Sequence, residues 1–359
     1  MSVGAANLSR MDLHGRGAGY DPPNRFTGRW VEPDPEWGDP DDPAPETRFM
    51  EDESKSAIAW NDSPDLGFAA GINPYRGCEH GCSYCLARPY HEYLGMSAGV
   101  EFETRIMVKP RLPELLRTEL SRPRWEPQPI VLSGVTDPYQ PVERRLRITR
   151  GCLEVLRDFR NPVCVITKGA LVARDADLLG ELAGDRAACV NVSIPTLDPD
   201  LAAQMEPRAA RPHRRLEAVA ALARAGVPVG VSLAPVIPGL TDREMPAILT
   251  AAREAGATYA WFSFVRLPGA VEQLFVDWLE RRLPARKEKV LARVRELRGR
   301  ALNDGRFFAR FRGQGAYAAQ IEQMFHVHAR RLGLDGDHPA LSAAAFRRPR
   351  GPQRTLFVL

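Results

Sequence analysis

Six short apolar runs recur along this chain at spacings of some tens of residues, with stretches of helical period between them. The runs are residues 72–75, 130–133, 163–167, 189–194, 227–233 and 259–265. Amphipathic stretches at 112–120, 150–159, 174–183, 212–225 and 242–255 separate them, and a longer one at 271–300 follows the last run. Consecutive parallel strands need a crossover of a dozen or more residues, normally a helix, so this alternation predicts a parallel sheet in an α/β fold. Mostly apolar strands suit a sheet that is covered on at least one face. Gly226 in Ala225-Gly226-Val227-Pro228 and Gly256 in Ala255-Gly256-Ala257 mark the C-terminal ends of two of the helices. Six units are too few to close an eight-stranded barrel.

Directly after the first run stands Cys78-Glu79-His80-Gly81-Cys82-Ser83-Tyr84-Cys85. Three thiolates on one short loop hold three corners of a cubic iron–sulfur cluster and leave the fourth iron free as a reaction site. The placement suits this chemistry, because active sites of parallel α/β folds gather at the C-terminal ends of the strands. Gly77 and Gly81 supply tight turns with free amides, and Arg76 and Arg88 offset the negative charge. A structural zinc ion would need a fourth ligand from His80, His91 or a distant residue, since no second Cys-x2-Cys pair is present. A disulfide framework does not suit a large chain without a leader segment. Cys152, Cys164 and Cys189 stand singly in apolar runs and read as small buried hydrophobes, and they share no spacing that would mark a second cluster.

The cysteine spacing, with Tyr84 just before the last thiol, resembles that of the radical S-adenosylmethionine (SAM) superfamily. The resemblance implies a 4Fe-4S cluster on Cys78, Cys82 and Cys85, with SAM chelated at the open iron. It further implies reductive cleavage of SAM to a 5′-deoxyadenosyl radical that abstracts hydrogen from a substrate, with an external electron donor. The implied fold is an open (βα)6 partial TIM barrel, here with an N-terminal extended arm and a C-terminal helical extension. The expected units are an extension at 1–63, a core at 64–302 and a basic extension at 303–359.

Within the superfamily, Asn73-Pro74-Tyr75-Arg76-Gly77-Cys78 and Thr136-Asp137-Pro138-Tyr139-Gln140-Pro141 are most similar to the DNA-repair-photolyase-like group, relatives of spore photoproduct lyase. The resemblance places Tyr84 near the adenine and Ser133-Gly134 at the methionine amine. Thr136 and Asp137 stand where the family has a Glu. Lys168 and Ser193 fall at the SAM carboxylate, a suitable task for a lysine point charge. Arg215 becomes a further anchor, and Ile237 an apolar contact to adenine. The photoproduct lyases carry a hydrogen-donating cysteine in the loop after the second strand, and here residues 133–140 contain none. The resemblance therefore carries over the cofactor chemistry and leaves the reaction, lyase-like or other, unassigned. No general base is apparent, so the catalytic residues that act on the substrate are unassigned.

The charge is uneven along the 359 residues, although the net charge is only +4. Acids outnumber bases up to residue 65, whereas bases exceed acids roughly three to one from residue 281 onward. Segments such as 32–35 and 38–43, rich in Pro and Asp, bury too little apolar surface to order alone, while Ala57-Ile58-Ala59-Trp60 is suited to dock on the core. Arg306-Phe307-Phe308-Ala309-Arg310-Phe311-Arg312 combines phosphate-binding and stacking side chains, so nucleic acid is a candidate substrate alongside peptides and small molecules. A non-catalytic iron–sulfur or zinc protein that binds nucleic acid is the alternative. The sequence shows neither a membrane-spanning run nor a leader, and the expectation is a reducing, cytoplasmic location.

Overall fold

A computed structural model describes residues 13–27 and 45–349. Its strands are β1 (Arg48–Glu51), β2 (Ile58–Trp60), β3 (Ala70–Ile72), β4 (Tyr75–Arg76), β5 (Arg105–Val108), β6 (Ile130–Leu132), β7 (Val163–Thr167), β8 (Ala188–Ser193), β9 (Val229–Val236) and β10 (Tyr259–Phe264). The larger sheet has the order β10-β9-β8-β7-β6-β3-β2. Its first six members run parallel, and β2 closes the edge antiparallel to β3. Consecutive parallel strands are thus spatial neighbours, as in a six-unit barrel that stops short of closure. A smaller sheet, β1-β5-β4, stands beside it.

Alternation along the strands divides the core into two faces. Val163, Val165, Val190, Val192, Val229 and Val231 face outward against helical Leu116, Leu153, Leu182, Leu222 and Leu249. Val131, Cys164 and Cys189 face inward, with Phe68, Ile166 and Leu341 packed on them. The helices Leu112–Ser121, Ile148–Phe159, Ala176–Gly184, Pro212–Arg224 and Met245–Glu254 cover the outer face close to where their periodicity predicts them. Each fully buried Leu or Val in this layer contributes about 1.5–3 kcal/mol relative to its exposed state.

Three differences from the sequence expectation have local causes. The run 72–75 is not one strand: Asn73 and Pro74 separate β3 from β4, and β4 pairs with β5 instead. The proline lacks an N–H for the ladder, and its carbonyl accepts a hydrogen bond from the Lys109 amide at 3.1 Å. The stretch 271–300 forms two helices, Ala270–Arg282 and Pro284–Leu297. Pro284 is tolerated only in a first helical turn, so it starts the second helix.

The third difference concerns the extensions, whose described parts are built into the core. Residues 58–60 dock as expected, as strand β2 of the main sheet, and β1 pairs with β5, so an expected boundary at residue 63 falls inside the sheet system. Arg16, Ala18 and Asn24 are buried. The segments 32–35 and 38–43, part of the expected extended arm, lie outside the described residues. At the other end, the helix Gly315–Leu332 buries Ile321, Phe325 and Ala329 in the main core. The following tail crosses beneath the strands, where the amides of Ser342 and Arg347 donate to the carbonyls of Arg186 and Phe159 at 2.9 Å each. Among the described residues no helix is long and apolar enough to cross a membrane.

Candidate functional site

A cavity of about 520 Å³ opens at the C-terminal ends of the parallel strands. That size suits a cofactor or substrate pocket. Cys78, Cys82 and Cys85 line it together with Tyr84, Ser133, Lys168 and Ser193. Burial pushes the Cys78 and Cys82 thiols up, so ionising them requires a bound cation.

The cysteine loop is held rigidly from outside the cavity. Gly77 and Gly81 have φ of 82° and 66°, the left-handed region that favours glycine. The Cys78 amide donates to the Phe102 carbonyl and the Ser83 amide to the Met205 carbonyl, each at 2.9 Å. Fully buried Arg88 donates to the Cys82 carbonyl from Nε and Nη2 at 3.1 and 2.9 Å and to the Gly99 carbonyl at 2.9 Å. Its charge is matched by buried Glu103. Glu103 also accepts the amides of Gly17 and Ala18 at 3.1 and 2.9 Å, which ties the N-terminal arm to the loop. A Cβ on Gly17 would meet the Gly81 carbonyl oxygen at 1.7 Å, so only glycine fits there.

Two further clamps join the loop to the segment after β6. Buried Gln140 accepts the Glu79 amide at 2.9 Å and donates to the Gly77 carbonyl at 3.3 Å, and Glu79 accepts the Val142 amide at 2.7 Å. Asp137 is the hub: it accepts Thr167 Oγ1 at 2.6 Å, the Lys168 amide at 2.7 Å and the Tyr139 amide at 2.9 Å. His80 Nδ1 lies 3.5 Å from the same carboxylate. Burial lowers the His80 pKa, against the pull of Asp137.

Lys168 Nζ sits 5.7 Å from the centre of the Tyr84 ring. Burial by itself would lower its pKa, but Cys82 and Glu206 outweigh burial and hold it raised, hence charged. Burial would likewise raise Glu206, but Arg215 and Lys168 keep it lowered and ionised. Glu206 accepts hydrogen bonds from Tyr84 Oη and Arg215 Nη2. Arg215 is fully buried and also donates to the carbonyls of Ala210 and Ser193 at 2.7 and 2.8 Å. It sits behind the cavity and not in its lining, as does Ile237, which packs with Cys82, Tyr84 and Leu201. Ser193 Oγ lies 2.8 Å from Ser232 Oγ. Ser133 has a φ of 135° and Gly134 one of 119°. A serine in that region is strained, and such strain clusters at ligand-binding backbone.

The rim is aromatic and basic. Tyr90, Tyr93, Phe307 and Phe308 are exposed there. Arg25 lies 5.4 Å over the Tyr93 ring, and Arg266 and Arg310 lie 4.7 and 5.1 Å over Phe311. Arg266 lines the cavity, and its Nε is buried without a hydrogen-bond partner. Burial, with Arg310 and Arg298 adding to it, pushes its pKa down to about 10. Sequence reasoning missed Glu103 and Arg266, and it quoted Gln140 within the motif 136–141 without a role. Only Arg266 carried a local signal, standing immediately after the sixth apolar run, where the strand ends on the cavity.

The Radical SAM superfamily model matches residues 72–252, and the chain belongs to that superfamily. It is therefore an enzyme of the radical SAM class, which uses a 4Fe-4S cluster and SAM. An uncharacterized protein of Mycobacterium tuberculosis is 37% identical over 234 residues, covering 65% of this chain and 68% of that protein. One of Methanocaldococcus jannaschii is 27% identical over 213 residues, covering 59% and 76%. Spore photoproduct lyase complexed with dinucleoside spore photoproduct shares the fold at a TM-score of 0.55 and 15% identity, with 79% of each chain covered. A variant of that lyase with bound AdoMet and the same dinucleoside superposes at a TM-score of 0.51 and 16% identity, with 76% of each chain covered.

Proposed function

We propose that this radical SAM enzyme abstracts hydrogen from a nucleic-acid substrate presented at the aromatic, basic rim. The observation that carries the reading is Arg266: it lines the cavity, its Nε is buried without a partner, and its guanidinium lies over Phe311 beside Arg310. Such a group takes an anionic oxygen, and a phosphate next to stacking rings describes a nucleotide. The likeness in fold to a lyase solved with a dinucleoside photoproduct supports the same class of substrate.

The residues fit the family's cofactors. Three thiols share one cavity with a lysine that the surroundings keep charged. Cys78, Cys82 and Cys85 would hold the cluster, which supplies the electron for SAM cleavage when bound. Lys168 would face the SAM carboxylate, and the strained backbone at Ser133-Gly134 would offer carbonyls to its amine. Tyr84 and Ser193 would complete the wall. Arg215 and Ile237 act as positioning residues: Arg215 fixes Glu206, which in turn holds the Tyr84 hydroxyl, and Ile237 packs behind the same ring. The loop 133–140 offers no hydrogen-donating cysteine, so this reading extends to the cofactor chemistry and not to photoproduct reversal.

The test is anaerobic release of 5′-deoxyadenosine from SAM and dithionite in the presence of damaged DNA, tRNA or peptide pools. Nucleic acid should stimulate release, and Arg266→Gln should raise the KM for it. Stimulation by peptides alone would remove the nucleic-acid reading.

A further inference from the structure

At the opposite end of the strands, Cys164 and Cys189 are register partners on β7 and β8 and both face inward. His338 reaches them from the tail beyond the C-terminal helix. Its Nε2 lies 3.7 Å from Cys164 Sγ and 3.9 Å from Cys189 Sγ, and all three donor atoms fall within 4.8 Å of one another. A single tetrahedral zinc ion has Zn–S bonds near 2.3 Å and Zn–N bonds near 2.0–2.1 Å, which sets sulfur and nitrogen about 3.6 Å apart and two sulfurs about 3.8 Å apart. The observed spacing is that of ligands around one ion. A cubic cluster spreads its thiolates further, because each binds a different iron.

The surrounding hydrogen bonds set the tautomer of the histidine. Trp261 Nε1 donates to Asn191 Oδ1 at 3.1 Å, so the amide nitrogen of Asn191 must be the atom facing the site. That nitrogen donates to Cys164 Sγ at 3.3 Å and lies 3.1 Å from His338 Nε2. Facing a donor, Nε2 is the unprotonated nitrogen, and its one lone pair, which here accepts from the Asn191 amide, is the one a cation beside the thiols would take. Nδ1 carries the proton, 3.4 Å from the Pro339 carbonyl. A metal-bound histidine normally has this arrangement.

An aromatic wall closes the site. Tyr259 is buried, and its hydroxyl faces Cys189 and Asn191. Its ring stands 5.0 Å from that of His338, in space that Gly230 on β9 leaves open: a Cβ there would lie 2.2 Å from the Tyr259 ring. Cys164 and Cys189 are buried whereas His338 is exposed, which gives an ion an entry path from solvent.

We propose that Cys164, Cys189 and His338 form a second metal site, for one zinc-class divalent cation, on the floor of the partial barrel. A water completes the coordination. The ion fastens the C-terminal tail across the sheet, and through Asn191 it braces Trp261, which lines the cavity above. This assignment does not depend on the substrate class.

The test is metal analysis of the full-length protein, purified anaerobically with its cluster and equilibrated with zinc. One equivalent of zinc is expected beside the cluster iron. His338→Ala and Cys189→Ser should each lose that zinc and keep the iron; His338 is exposed, so its replacement leaves the core packed. As an independent measurement, cobalt(II) added to the full chain carrying Cys78→Ser, Cys82→Ser and Cys85→Ser should give thiolate charge-transfer and tetrahedral ligand-field bands that zinc bleaches. Absence of zinc from the wild-type protein, zinc that persists in both variants, or a Cys164–Cys189 disulfide that prevents alkylation of these thiols would each overturn the site.

Discussion

The two ends of the same strands carry the same kind of side chain under opposite rules. On the cavity side, three cysteines sit within eight consecutive residues, and the backbone between them sets their relation. On the floor, Cys164 and Cys189 meet because adjacent strands are in register, and His338 stands 174 residues beyond the first of them. A local loop announces its chemistry through spacing. A site assembled by topology shows no spacing, and three solitary residues in apolar or tail segments look inert until the sheet is built.

The comparison is tested most severely by Cys82→Ala. It should abolish the cluster's absorbance at about 400 nm and all 5′-deoxyadenosine release. Zinc on the floor should be retained, and loss of both metals together would show that the two ends are not independent.

The next effect concerns stability. Arg215→Met removes the buried guanidinium that faces Glu206 and leaves that carboxylate with Tyr84 and Lys168 alone, and breaking such a buried pair costs about 3–5 kcal/mol. Urea unfolding of the anaerobic protein should show this loss. A change below ~1 kcal/mol would mean that water reaches Glu206 and that the cavity wall is looser than its hydrogen bonds indicate.

Lys168→Ala should weaken SAM binding about tenfold, equivalent to about 1.4 kcal/mol, with the cluster spectrum intact. Calorimetric titration with SAM checks this, and unchanged affinity would take Lys168 out of the cofactor site.

The smallest effect is a pH dependence at the rim. Asp65 has its pKa lowered from 3.8 to about 2; slight burial opposes the shift, and hydrogen bonds from Arg310, the Phe308 amide and Ser63 outweigh it. The folded value is depressed, so the stabilisation is complete above the ordinary carboxylate range and disappears as pH falls through about 2. The difference in urea midpoint between wild type and Asp65→Asn should shrink as pH is lowered through that window. A constant difference would show that the Asp65–Arg310 pair does not anchor the strip 306–311.

Much of the fold was legible because its signals are short-range. Six apolar runs and their intervening helices give β3 and β6–β10 and the helices that cover them, and the expected C-terminal helical extension is present as the helix Gly315–Leu332. Pro284 was a readable break in the stretch 271–300, since an interior proline removes a helical hydrogen bond. Buried ion pairs were not legible. Arg88 and Glu103, or Arg215 and Glu206, look like ordinary charges on polar faces until packing removes water from them. Arg16 and Asn24 gave no sign of burial either, because their partners are carbonyls of distant loops.

The close approach of Gly17 to the Gly81 carbonyl sets a limit on how far the chain can be trimmed. Residues 16–18 lie against the outer face of the cysteine loop, with a carboxylate shared between the two. A chain trimmed to the βα units would expose that face and leave Glu103 without its two amide donors. Residues 16–18 are in this respect a brace on the back of the cysteine loop, so the rigidity of that loop depends on a segment outside the βα units.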